Sequence, residues 1–461
     1  LLVIGFFVTC SRENSRKHPT PVTEPIFEKI ASTSSGITFE NTILEDIETQ
    51  ENLFNYDYFY NGAGVGIIDY DNDGLQDIFF CGNQVANKLY KNLGDFKFKD
   101  VSDSASININ KEWSNGVSII DINNDGWQDI YISQGGPHSR EKRTNLLYVN
   151  QKNGTFLEQA HIYGLADQGI STQTVFFDYD NDNDLDCFVM NENELYGVDP
   201  INLYKLANNS KDATYYNSSH FYENQNGTFI DITREAGFER PIFGLGLSVS
   251  DINNDNLLDL YVASDYYIPD ALFINNGDGT FSDKVKSYTQ QISYYGMGVD
   301  IADINNDGLQ DIFVLDMAAN DHVRSKTLMA SMNTARFDYL TNTAGFHHQY
   351  MYNSLQLNLG KNKFSNIAQQ TNLASTDWSW SVLLGDYDLD SDKDVYVTNG
   401  YRKYALDNDL QQKVYNAKVQ YKGNVPIDVK RRLYESCLLY TSPSPRDEQF
   451  HLVCSLLLEK R

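Results

Sequence analysis

The chain has 461 residues, 63 of them Asp or Glu against 36 Lys or Arg, for a formal charge of −27. That balance excludes a nucleic-acid binder, which needs clustered cations to meet phosphate, and 41% hydrophobic residues exclude wholesale disorder. Short apolar runs separated by Asp, Asn and Gly, with 31 Tyr, point to an all-β protein with acidic turns.

Residues 1–10, LLVIGFFVTC, have the length of a signal-peptide core, well short of the ~20 apolar residues that span a bilayer. The run resembles a bacterial lipoprotein signal, in which Cys10 becomes the lipidated first residue. That implies an extracytoplasmic protein anchored at the outer membrane or cell surface of a bacterium. The alternative is an ordinary secretory signal that happens to contain Cys. Residues 11–30 are polar and Pro-containing, as a tether would be.

From residue 31 to 436 one acidic nonapeptide recurs: DYDNDGLQD, DINNDGWQD, DYDNDNDLD, DINNDNLLD, DINNDGLQD and DYDLDSDKD. Positions one, three, five and nine are Asp69, Asp71, Asp73 and Asp77; Asp121, Asn123, Asp125 and Asp129; Asp178, Asp180, Asp182 and Asp186. The later copies give Asp251, Asn253, Asp255 and Asp259; Asp303, Asn305, Asp307 and Asp311; Asp386, Asp388, Asp390 and Asp394. Oxygen donors at alternate positions of a tight loop can converge on one hard cation, and Ca²⁺, with ~6–8 oxygen ligands in irregular geometry, suits them better than octahedral Mg²⁺. The pattern therefore predicts about six Ca²⁺ sites. Solvated Asx turns are the competing reading, but turns alone do not require the ninth-position Asp. Gly74, Gly126 and Gly308 at position six permit the bend.

An EF-hand is excluded, since it needs a Glu at position twelve and flanking helices. Here that position is Phe80, Ile132, Val189, Val262, Val314 or Val397, and the flanks are short and β-rich. The loop thus joins two buried strands of a hairpin. A Gly often precedes it by five residues (Gly64, Gly116, Gly246, Gly298), and a strand ending in Asn and a Phe-led strand follow. Four short strands per repeat predict β-propeller blades. Cys81 and Cys187 fall in apolar strand runs and read as buried, unpaired core residues.

The repeat resembles the FG-GAP/VCBS repeats of integrin-α-like propellers. The body is similar to the bacterial group allied to cartilage acidic protein, on LDMAANDHVRSKTLM (315–329), QYMYNSLQLNLG (349–360), TDWSWSVLLGDYDLD (376–390) and TNGYRK (398–403). The resemblance implies a natively seven-bladed propeller, often followed by an ASPIC/UnbV-type domain, so that six loops here mark an incomplete one. GITFENTI (36–43) reads as the strand that would complete the last blade. Two intervals carry insertions: residues 191–219, with Tyr196, Tyr204, Tyr215 and Tyr216, and residues 316–350, with a helical stretch near 322–339 and His347–His348. Residues 401–436 look partly helical. Residues 437–447, CLLYTSPSPRD, resemble translated sequencing adapter, which would make 437–461 a non-native tail.

The expected function is that of a calcium-stabilised binding or adhesion scaffold whose loops take a surface glycan or protein, with no nucleic-acid partner and membrane contact only through a lipid anchor. The alternative is a calcium-dependent polysaccharide lyase or hydrolase. No catalytic constellation stands apart from the repeated acids.

Overall fold

The computed structural model describes residues 27–440 and 453–455, apart from 53–54, 108–112, 196–197, 199, 323–324, 326–333, 401–407 and 422–423. Cys10 and the signal-like run lie outside the described residues. Six small antiparallel sheets follow one another along the chain as the blades of a β-propeller. Val65–Ile68, Asp77–Phe80, Lys88–Asn92 and Phe98–Asp100 form the first; Ser114–Ile120, Asp129–Gln134, Leu146–Asn150 and Phe156–Glu158 the second. Ser171–Phe177, Asp186–Asn191, His220–Asn224 and Phe229–Asp231 form the third; Gly244–Ser250, Asp259–Ser264, Ala271–Asn275 and Phe281–Asp283 the fourth. Val299–Ala302, Asp311–Val314, Ser354–Asn358 and Phe364–Asn366 form the fifth. The sixth pairs Asp377–Gly385 with Asp394–Asn399, flanked by Met317–Ala318 and Val453–Ser455.

In the second to fifth blades the second strand is a near-continuous apolar run buried on both faces, as Ile130, Tyr131 and Ile132 show at 0% exposure, whereas those of the first and sixth blades are half-buried on one or both faces. Those faces feed shared cores. Tyr131 packs with Cys187 and Val189 of the third blade, and Phe188 with Leu260 and Phe273 of the fourth. Cys81 and Cys187 are buried and free, as their apolar setting predicts.

The glycine five residues before four of the loops has a packing role. A Cβ on Gly64 would lie 3.2 Å from Gly116 Cα of the next blade; one on Gly246 would meet Gly298 Cα at 3.0 Å; one on Gly298 would meet Trp380 O at 2.6 Å. Inner strands of successive blades therefore touch backbone to backbone at one register. Side chains two and four residues before each loop face the preceding blade, as Ile119 and Val117 do against Gly66. In the first blade the same positions are Ile67 and Val65, which stay 53% and 59% exposed.

The segment expected to be a closing strand is not one. Residues 37–43 cross the side of the first blade without ladder pairing. Their polar groups find side chains instead: Thr38 N donates to Tyr90 Oη at 3.3 Å, and Asn41 and Asn83 exchange hydrogen bonds at 2.7 and 3.0 Å. Phe39 stacks on Phe80 at 5.0 Å. Phe27 lies against the last blade, 6.0 Å ring to ring from Tyr387. Phe281 meets Tyr179, at the same position of the preceding blade's loop, at 6.2 Å, but stacked rather than edge-on.

The insertions contain helices Pro200–Ala207, Lys211–Tyr215 and Thr334–Asp338; Asn408–Gln420 and Ile427–Tyr440 make residues 401–436 partly helical, as expected. Of residues 437–461, the described parts are the end of that last helix and Val453–Ser455, which pairs with Val397–Asn399.

Candidate metal centres

Local sequence dictates one loop fold, repeated six times. The first-position Asp turns back on its own loop: one oxygen accepts the position-five N–H at 2.9–3.1 Å, the other the position-six N–H at 2.7–3.0 Å. The fifth-position Asp accepts the position-seven N–H at 2.9–3.1 Å. These bonds need left-handed backbone at positions four and six. Asn72, Asn124, Asn181, Asn254, Asn306 and Leu389 supply the former, and Gly74, Gly126, Asn183, Asn256, Gly308 and Ser391 the latter. Asn and Gly tolerate that region best, which is why they recur there.

The ninth-position Asp does something the spacing alone did not reveal. Asp77, Asp129, Asp186, Asp259 and Asp311 are 0–1% exposed. In each, one oxygen accepts the position-two N–H (3.0–3.3 Å) and the other accepts the N–H of the Asn ending the third strand (2.7–2.9 Å). In the sixth blade Asp394 accepts from Tyr387 N at 2.9 Å. The residue staples the loop to the blade, whatever else it holds. Burial pushes the Asp77 and Asp129 carboxyls up to about 6, and Asp186 and Asp259 up to about 7.

Two sets of Asn residues were not read as functional from sequence. The Asn ending the third strand also reaches the preceding blade's loop: Asn150 Nδ2 donates to Tyr70 O (2.8 Å), Asn275 to Tyr179 O (2.7 Å) and Asn358 to Ile252 O (3.1 Å). The position-four Asn reaches the next loop, Asn72 Nδ2 to Gly126 O (3.1 Å), Asn254 to Gly308 O and Asn306 to Ser391 O (both 3.4 Å). Loops are thus chained around one end of the propeller. The recurrence of Asn at both places was the available signal.

A hard cation fits some of these loops on the structure's own terms. Carboxylate oxygens of positions one, three and nine lie within 4.8 Å of one another in three of them: Asp69, Asp71 and Asp77; Asp178, Asp180 and Asp186; Asp386, Asp388 and Asp394. In the first and third, Asp71 Oδ1 and Asp184 Oδ1 are shielded yet accept no hydrogen bond. In the other loops the third residue is Asn, and the Oδ1 of Asn123, Asn253 and Asn305 accepts the N–H of Asp125, Asp255 and Asp307 at 3.0–3.1 Å.

The aromatic residues and histidines of the insertions pack. Tyr215 stacks on His220 with centroids 3.8 Å apart, Tyr204 meets Phe346 at 5.6 Å, and Tyr216 lies under the Arg140 guanidinium at 3.4 Å. Tyr196 lies outside the described residues. Burial drives His347 down to about 4, so it is neutral, and its Nε2 is 3.1 Å from Thr289 Oγ1.

Comparison with known proteins agrees with this geometry. The FG-GAP-like repeat model matches residues 69–132 and 251–314, each running from one acidic loop to the second strand of a later blade. The chain is similar to cartilage acidic protein 1 of Xenopus tropicalis, 25% identical over 63% of this chain and 43% of that protein. The human protein of that name is 24% identical over 52% of this chain and 33% of its own length. The chain thus spans less than half of the curated relatives it matches. Among solved structures, an Agrocybe aegerita lectin that recognises non-reducing terminal N-acetylglucosamine aligns at a TM-score of 0.38, with 15% identity over 74% of this chain and 76% of that one. The chain is a β-propeller that carries FG-GAP-like repeats at residues 69–132 and 251–314.

Proposed function

We propose that this propeller is an extracytoplasmic, calcium-stabilised scaffold that binds a surface glycan or protein, held to a bacterial membrane through lipidated Cys10. One observation carries the binding role. Antiparallel order puts every acidic loop at one end of the blades and every second-to-third-strand connection at the other. The long insertions, residues 192–219 and 315–353, are both such connections. One end is therefore a uniform metal-and-turn platform, and the other is variable, the usual arrangement when loops on a rigid scaffold bind a ligand.

Calcium would be held by the first-, third- and ninth-position acids and would neutralise their mutual repulsion. Millimolar extracellular calcium matches the ~10⁻⁴–10⁻³ M affinities typical of extracellular modules, the range this reading expects. The cation part is tested by thermal unfolding: millimolar Ca²⁺ raises the midpoint and EDTA reverses it. A midpoint indifferent to Ca²⁺ refutes it. The ligand part is tested on a glycan array and against immobilised surface protein. Leu206→Glu with Lys211→Glu on the insertion abolishes binding, while Leu389→Glu on the acidic-loop end leaves it intact; the reverse result refutes the assignment of ends.

A further inference from the structure

Lys91 sets the first loop apart. It is the residue before the Asn that ends the third strand, and the same place holds Val149, Glu223, Ile274 or Leu357 in the following blades. Its ammonium group lies between the first loop's acids, paired with Asp71 and 2.9 Å from Asp73 Oδ2, with the Tyr70 ring 5.9 Å away. The nearest analogue, Lys152 on the second loop, is 48% exposed and touches a single acid, Asp125, at 3.2 Å. The third loop is the opposite case. It carries Asp178, Asp180, Asp182, Asp184 and Asp186, and Glu223 occupies the place of Lys91. Among the described residues no Lys or Arg pairs with any of these loop acids, and Glu223 instead accepts the Tyr179 hydroxyl at 3.2 Å.

We propose that Lys91 is a built-in counter-cation for the first loop, so that the six loops differ in their demand for a divalent ion. The first is satisfied by the chain itself and takes Ca²⁺ only when Lys91 is displaced. The third, with an extra carboxylate where the ammonium would be, takes Ca²⁺ most tightly. The physical reason is direct. A tethered ammonium paired with two carboxylates already removes most of the repulsion between them. An incoming Ca²⁺ must expel it and then lie beside a like charge.

This rests on the cation reading above, and one set of measurements separates the two. Calcium binding to the full chain is measured by isothermal titration calorimetry and equilibrium dialysis with CaCl₂, for the wild type, Lys91→Ile and Glu223→Lys. Circular dichroism checks that each variant is folded. Lys91 is 26% exposed, and Ile copies the residue of the fourth blade. The expected result is one additional site, or a tenfold tightening of the weakest, in Lys91→Ile, and the loss of the tightest site in Glu223→Lys. Wild-type binding that Lys91→Ile leaves unchanged in number and affinity overturns the proposal while leaving the cation reading in place. A wild type that binds no Ca²⁺ removes the cation reading itself.

Discussion

The stapling role of the ninth-position Asp is best tested at Asp259. Its carboxylate is fully buried and accepts the Ile252 N–H at 3.0 Å and the Asn275 N–H at 2.8 Å. Asp259→Ala leaves both donors buried without partners, at about 1–3 kcal/mol each. Relief of the buried charge offsets part of this, because burial has already raised the carboxyl to about 7. A net loss of about 2–4 kcal/mol follows. Asp255 is the internal control. It is exposed and accepts the Leu257 N–H at 2.9 Å. Water can replace it there, so Asp255→Ala costs no more than about 1 kcal/mol. Both variants are unfolded in urea with EDTA present, which isolates the staple from any bound ion, and amide exchange is followed at Ile252 and Asn275. If Asp259→Ala is no more destabilising than Asp255→Ala, or those two amides keep wild-type protection, the staple is wrong.

Gly298→Ala sets a Cβ 2.6 Å from Trp380 O and 2.8 Å from Ser381 Cα, and neither backbone can give way; a loss of about 2–3 kcal/mol and a lower melting midpoint follow. Gly308→Ala, at φ +84° with open space around it, costs only the left-handed penalty of about 1–2 kcal/mol. Asp316 is fully buried, accepts the Tyr294 and Tyr295 N–H groups at 2.9 and 3.1 Å, and is raised by burial to about 8. Its folded form therefore binds a proton that the unfolded chain releases above pH ~4, so its contribution falls as pH rises from ~4 through 8. Asp316→Asn should flatten that part of a stability–pH curve recorded in EDTA. Asp167 is buried against His220, with Tyr222 Oη donating to it at 2.7 Å; its carboxyl is held low, and the imidazole is held high beside it. Asp167→Ala strands a buried cation and should cost about 3–5 kcal/mol in urea unfolding, with His220→Phe in the same background restoring part of the loss.

The blades were legible because their signals are local. Short apolar runs, Asn–Asp–Gly bends and Phe-led strands each act within a few residues, and the expected strands ending in Asn form as Lys88–Asn92, Leu146–Asn150 and Ala271–Asn275. What the sequence hid is relational. Residues 36–43 have a strand's composition, but Tyr90 and Asn83 gave their polar groups other partners. The ninth-position Asp looked like a ligand because ligand spacing and staple spacing coincide. Only the placement of Asn275 N beside Asp259 separates the two uses. The glycines five residues before the loops recur visibly, yet their reason lies 52 residues away for Gly246 and Gly298, in the adjoining blade's backbone.

The contact between Phe27 and Tyr387 has a kinetic side. During synthesis the first five blades can form in order as each leaves the ribosome, since each leans on the one made before it. Phe27 then waits through 360 residues of translation for its ring partner. Agents that capture nascent chains have the longest access to this stretch, and a permuted gene that starts between the first and second blades would shorten the wait.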